Sequence, residues 1–63
     1  MKRTFIGYVD SFPKQIEVKH VITDNGVHSY MNDQLYNVIV FDGNNRPEDT
    51  ISVLKMMGFE EVK

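Results

Sequence analysis

The last third of the chain limits the fold more than any other feature, because it encodes a helix together with both of its ends. At the start, Asn45 is placed to cap the free N–H groups, and Glu48, three residues later, can reach back toward the cap. Pro47 falls in the first turn, where its missing N–H costs little. These residues predict a helix that begins directly after Asn45.

The end of the same helix is marked by a glycine. Gly58 predicts a left-handed stop, which lets Phe59 close over Leu54 as in a Schellman ending. Apolar residues recur at the spacing of a core-facing stripe: Ile51, Leu54 and Met57 or Gly58. The segments before the helix have the character of strands. We therefore expect an α+β fold, in which a small antiparallel sheet of four to five strands carries one C-terminal helix on one face.

Five segments have the β-branched and aromatic content, or the alternation, that is typical of strands. They are residues 4–9, 15–23, about 27–31, 35–42 and 59–62. Together with the helix they give the order ββββαβ. Residues 38–41 are continuously apolar, which is typical of a strand covered on both faces, so we expect the fourth strand to be central. The charged last strand is expected at an edge.

The second strand and the hairpin after it decide where the two histidines lie. Alternation places one set of side chains on the face expected to be buried: Ile16, Val18, His20 and Ile22. Asn25-Gly26 predicts a type I′ turn, whose two-residue loop would put His20 and His28 on opposite faces. A three-residue loop from Asp24 to Gly26 would put them on one face, about 7 to 8 Å apart. Either register supplies only two ligands, so we expect no metal site.

Composition removes several classes of function. The 63 residues allow one domain, 1–63, with a single core of marginal stability. The absence of cysteine excludes disulfides, thiolate zinc sites and thiol catalysis. A formal charge of −2 gives no field for gathering nucleic acid, and no apolar run approaches the roughly 20 residues of a membrane helix. With no export signal after Met1 and no cysteine, we expect a cytoplasmic protein.

No motif points to catalysis or to a cofactor. Asp42, Glu48 and Asp49 have a spacing that matches no calcium loop, and a strand end and the helix dipole account for them. The serines lack a Gly-x-Ser-x-Gly context, and a core this small can hardly enclose the cleft that serine catalysis needs. We therefore expect no enzyme and no cofactor.

Residues 4–9 resemble the first-strand motif of an RNA recognition motif, in which an aromatic side chain stacks on a base. That fold needs a helix directly after its first strand, whereas residues 10–13 lead into another strand, so we do not expect membership of that family. A single-stranded nucleic-acid binder is nevertheless the alternative function, with tyrosines as stacking platforms and basic residues nearby. The residues concerned are Tyr8, Tyr30 and Tyr36 with Lys14, Lys19 and Arg46.

The favoured hypothesis is a non-catalytic protein-binding module, of the kind found in small bacterial or phage accessory and inhibitory proteins. One helix covers one face of a sheet, so the other face should be exposed, and it carries tyrosine with a few charges, as protein-binding patches often do. An unpaired edge strand could also pair with a partner sheet or with a second copy in a homodimer. The residues expected to bind are Tyr8, Lys19, His28, Tyr30 and Tyr36. The remaining interpretation is a half-solvated face with no partner.

Overall fold

The computed structural model describes residues 1–11 and 13–62. The strands are β1 (Lys2–Ser11), β2 (Lys14–Thr23), β3 (Gly26–Met31), β4 (Gln34–Val40) and β5 (Glu60–Val62), and the helix is α1 (Pro47–Met56). All neighbouring strands are antiparallel, and their order in the sheet is β4-β3-β2-β1-β5. The predicted α+β fold with the order ββββαβ is confirmed. Phe12, in the segment 10–13 that leads into the second strand, lies outside the described residues.

The core lies between α1 and one face of the sheet. Phe5 is opposite His20 and Ile22 is opposite Val27, which puts these four side chains on the same face. Phe5 and Ile22 are fully buried, and the alternation predicted for β2 is confirmed, because Val18 and Ile22 are its buried residues. The core cluster consists of Phe5, Ile22, Val27, Ile51 and Leu54, with Phe41 and Phe59 packed against it.

The fourth strand lies at an edge of the sheet, so its predicted central position is wrong. Only β3 pairs with β4, and every residue of Gln34–Val40 is exposed. An apolar run is typical of burial on both faces, but strand order depends on long-range pairing that the run itself does not encode. The apolar side chains of β4 are therefore uncovered, whereas the predicted edge position of the last strand is confirmed for β5.

The turn between β2 and β3 is one residue earlier than Asn25-Gly26 predicts. Ile22 pairs with Val27, so the hairpin register differs from both predicted alternatives. The Thr23 hydroxyl accepts hydrogen bonds from the Asn25 and Gly26 N–H groups, at 3.2 and 3.3 Å, and so holds the loop. Gly26 is a strand residue, where a Cβ would clash with the carbonyl oxygen of Ile39. A glycine is therefore needed at position 26 because β4 approaches closely there, and not because of the turn.

The turn with left-handed residues joins β3 to β4 instead. Asn32 and Asp33 have φ angles of 49° and 68°, and Met31 pairs with Gln34 on either side of them. Positive φ at two central residues is what a type I′ hairpin needs. Asn32 also ties this turn to β2, because its N–H donates to the Glu17 carbonyl at 3.0 Å and its Oδ1 accepts from the Glu17 N–H at 3.1 Å.

The helix begins one residue later than predicted, with Arg46 at the N-cap and no side-chain capping bond, so the Asn45 cap is wrong. The reason lies in the preceding loop, where Asp42 Oδ1 accepts hydrogen bonds from the Asn44 and Asn45 N–H groups at 2.7 and 3.2 Å. This loop holds Asn45 by its backbone in an Asp-closed turn. Pro47 in the first turn is confirmed.

The predicted Schellman ending is confirmed. Gly58 has a φ of 91°, its N–H donates to Lys55, and the Phe59 N–H donates to the Leu54 carbonyl at 3.0 Å. Ile51 and Leu54 of the predicted core-facing stripe are buried, but Met57 is exposed, so its predicted place in the stripe is wrong. Phe59 fills the space instead: a Cβ at Gly7 would come within 2.8 Å of its ring.

Candidate functional site

The face of the sheet away from α1, called here the open face, carries two rows of side chains that each cross all five strands. The pairing registers place these residues directly opposite one another from strand to strand. The first row is Val38, His28, Val21, Thr4 and Val62, and the second row is Leu35, Tyr30, Lys19, Ile6 and Glu60. Each of these side chains is half-buried or exposed, so the face is apolar for much of its width and yet uncovered.

Lys19 and Tyr30 form a cation–π contact on the open face. The Lys19 Nζ lies 5.2 Å from the centre of the Tyr30 ring, within the range of a cation–π interaction. The same ammonium lies 3.5 Å from Asp33 Oδ1 in the β3–β4 turn. The left-handed φ of Asp33 belongs to the turn that brings this carboxylate beside β2. Lys19 is thus held by two neighbours and keeps the Tyr30 ring in place.

Four of the five residues predicted to bind lie on this face. Lys19 and Tyr30 are direct cross-strand neighbours, and His28 is two residues before Tyr30 on β3. Tyr8 is one step beyond the second row, opposite Glu17, and its side chain is 64% exposed. The structure therefore brings these four residues to one surface.

Tyr36 is the predicted residue that the rows do not include. The β3–β4 register pairs Tyr30 with Leu35 and Ser29 with Asn37, so Tyr36 is the extra residue of a β-bulge. Its side chain is exposed, but alternation along β4 does not assign it to the open face. A bulge depends on how two strands pair, so the local sequence does not predict it.

Sequence reasoning missed the apolar residues of the two edge strands. Leu35, Val38 and Val40 on β4 and Val62 on β5 are all exposed, although the continuous apolar run predicted burial for the first of these strands. The lack of charge in β4 did not reveal its exposure, because an uncharged apolar strand is also typical of burial. Gln34–Val40 contains no charged residue, whereas Glu60–Val62 contains two.

A groove of about 470 Å³ lies beside the open face, where β5 begins at Glu60 and β1 continues past Ile6. Tyr8 and Gly58 line it together with Glu60 and Glu61. β5 pairs with β1 only from Thr4 to Ile6, so the outer edge of β1 beyond this point lacks a strand partner among the described residues. The groove extends the open face toward the far end of β1.

The helix-covered side holds the most buried polar pair. His20 Nδ1 lies 2.7 Å from the Ser29 hydroxyl, and its ring packs on Phe59 with centroids 5.1 Å apart. Burial lowers the pKa of His20, because it disfavours the charged imidazolium. His28 lies on the opposite face of the sheet, opposite Val21. Within residues 1–11 and 13–62, no three His, Cys, Asp or Glu side chains come together as metal ligands.

Comparison of the chain with family models, with curated proteins and with solved structures finds no match. Among the described residues, no helical segment has the length and hydropathy of a membrane span.

Proposed function

We propose that the protein is a non-catalytic binding module that docks on another protein through its open face. The observation that carries the proposal is the pair of five-residue rows, in which aliphatic and aromatic side chains stand uncovered around Lys19 and Tyr30. Exposed apolar patches on small proteins commonly mark interaction surfaces, and tyrosine is enriched at their centres. A small cytoplasmic accessory or inhibitory protein of bacterial or phage type is the kind of molecule that this surface suits.

Electrostatics favour a protein partner over the alternative, a single-stranded nucleic acid. Alternation and pairing put Lys2 and Lys19 on the open face against Asp10, Glu17 and Glu60, so the face carries no excess of positive charge. Backbone recognition of nucleic acid relies on a basic groove, which these residues do not form. The other two basic residues of the alternative lie elsewhere. Alternation along β2 assigns Lys14 to the helix-covered face, and Arg46 is at the N-cap of α1.

The tyrosines also suit a protein partner better. A stacking platform needs a free ring face, but the Lys19 ammonium already lies over the Tyr30 ring and is itself near Asp33. Tyr8 lies beside Glu17, whose charge repels a phosphate backbone. These arrangements are compatible with packing against a protein surface that combines apolar groups with a few charges.

Affinity capture from cell extract, with and without nuclease, tests the proposal. The bait is the wild-type protein, and the open-face variant is Tyr30→Ala. The matched control is Met56→Ala, because Met56 is 86% exposed on α1 and lies away from the open face. We expect one stoichiometric, nuclease-resistant protein that the wild type and Met56→Ala retain and Tyr30→Ala loses. Capture of nucleic acid that is released as salt rises would instead establish the stacking alternative.

A further inference from the structure

The two edges of the sheet are protected very differently. β5 is three residues long and carries Glu60 and Glu61, a short charged edge of the kind that discourages pairing with other chains. β4 is seven residues long, carries no charge and exposes Val38, Ile39 and Val40. A long, uncharged, apolar edge is a template for another strand unless something occupies it.

The backbone of β4 has free groups at the positions where a partner strand would need them. The Phe41 N–H donates to the Asn25 carbonyl at 2.9 Å, so Phe41 directs its backbone groups toward β3. Hydrogen-bonding residues alternate along an antiparallel strand, so Ile39 also bonds toward β3. The N–H and C=O groups of Val38 and Val40 consequently point outward, away from the sheet.

We propose that the β4 edge is the interface of a homodimer, in which β4 pairs antiparallel with β4 of a second copy to form a ten-stranded sheet. The bulge at Tyr36 and the turn closed by Asp42 limit the regular edge to residues 37–41. Ile39 is the centre of this segment. Placing Ile39 on the two-fold axis therefore pairs the whole regular segment with itself.

This register satisfies the outward backbone groups and matches the side chains. Val38 of one copy lies opposite Val40 of the other, and each such pair exchanges two backbone hydrogen bonds. The two Ile39 side chains meet on the axis in a pair without hydrogen bonds. β-Branched residues directly opposite one another are favourable cross-strand pairs.

Charge explains why a second copy fits this edge. Two identical strands repel when like charges face each other, but Gln34–Val40 has none. In the proposed register Asp42 at the end of one strand lies beside Tyr36 of the other, so no carboxylates meet. An uncharged edge offers nothing to attract a charged partner, whereas it matches the polarity of a second copy of itself.

The dimer goes beyond docking on the open face and does not depend on it. Five paired residues make a small interface, so we expect a dimer that dissociates on dilution. The oligomeric state is measured on the purified chain alone, which separates this test from partner capture. A monomer that still captures its partner would overturn the dimer and leave the proposed function intact.

The first test is light scattering coupled to size exclusion, at chain concentrations from low micromolar to millimolar. The variant is Val38→Lys, and the matched control is Val62→Lys, because the two valines are 48% and 49% exposed and lie on opposite edges of the sheet. We expect twice the chain mass for the wild type and Val62→Lys at high concentration, and the monomer mass for Val38→Lys. A wild type that stays monomeric at millimolar concentration, or a dimer that only Val62→Lys dissociates, would overturn the proposal.

The second test reports on the register and remains decisive if Val38→Lys fails to fold. The natural chain has no cysteine, so Ile39→Cys introduces the only thiol. Opposed residues of a non-hydrogen-bonded pair have Cα atoms about 4.5 Å apart, within disulfide range. Under mild oxidation we expect a rapid covalent dimer for Ile39→Cys and little for the control Val62→Cys. Equal, slow crosslinking of both variants would contradict the interface.

Discussion

His20 Nδ1 and the Ser29 hydroxyl lie 2.7 Å apart on neighbouring strands, in contact with the core. Ser29 is 2% exposed and is the buried polar residue of the described chain, so the imidazole gives it the partner that a buried hydroxyl needs. The Phe59 ring also packs on the His20 ring. The helix-covered face thus accommodates a half-buried titratable group by pairing it with a buried hydroxyl.

Stability should fall on mild acidification because of His20. Its folded pKa is below its ordinary value, so the full stability is present above the unfolded pKa of about 6.5 and is lost as the pH falls toward the folded pKa. Urea unfolding at pH 7.5 and pH 5.5 measures the difference. We expect a smaller difference in His20→Gln than in the wild type or in His28→Gln, whose ring is on the open face. The same difference in all three proteins would show that His20 does not cause it.

Gly26→Ala should destabilise the protein, by about 1 to 3 kcal/mol, because the added Cβ meets the carbonyl oxygen of Ile39 and not a movable side chain. Gly43→Ala is the matched control, since nothing lies within 4 Å of a Cβ there. Chemical denaturation of the two variants provides the comparison. Equal stability would contradict the close approach of β4 to β3.

Leu54→Ala should leave the protein largely unfolded. Leu54 is buried in the core cluster, and removing it costs about 2 to 5 kcal/mol. That loss is comparable to the whole stability expected of a core of this size. Tyr30→Ala removes cross-strand contacts on the open face and should cost less than about 1 kcal/mol. Circular dichroism melting distinguishes them, and a Tyr30→Ala protein that melts like Leu54→Ala would place Tyr30 in the core.

Glu61→Gln should loosen β5. Arg3 donates two hydrogen bonds to Glu61, from Nε at 2.8 Å and from Nη2 at 2.6 Å, and this contact raises the pKa of Arg3 above its ordinary value. A bidentate pair of this kind joins the last strand to the first. We expect faster amide hydrogen exchange in β5 of Glu61→Gln than in Glu60→Gln, which neutralises the neighbouring carboxylate on the opposite face. Equal exchange rates would mean that backbone pairing alone holds β5.

The parts of the fold that could be predicted are those with local causes. The helix end follows from Gly58 and Phe59, and the buried face of β2 follows from its alternation. Asn25-Gly26 misled because the Thr23 hydroxyl stabilises an earlier loop, which moves the pairing of His20 from Met31 to Ser29. This shift is two residues, so the side chains of β2 and β3 kept their predicted faces.

The candidate site could likewise be predicted where it depends on alternation along a strand, but not where it depends on pairing between strands. Four of the predicted residues lie on one face: Tyr8, Lys19, His28 and Tyr30. The hairpin register differs from the predicted one by two residues, and a shift by an even number leaves each side chain on the same face. Tyr36 and the exposure of Val38 were beyond sequence reasoning, since the bulge and the edge position of β4 arise from pairing between distant residues. Strand order is set by the whole sheet, and local composition does not determine it.

The edge position of β4 also determines how many docking faces one assembly would present. A two-fold axis between antiparallel strands is perpendicular to the sheet, so both open faces of the proposed dimer point in the same direction. Tyr30 is on β3, three residues along from Val27, which is level with the axis at Ile39. Its two copies are therefore three strand spacings apart across the sheet and about six residues apart along the strands, or roughly 25 Å in all. A symmetric or repetitive partner would then be held bivalently, and the effective concentration of the second site would raise avidity without any new contact.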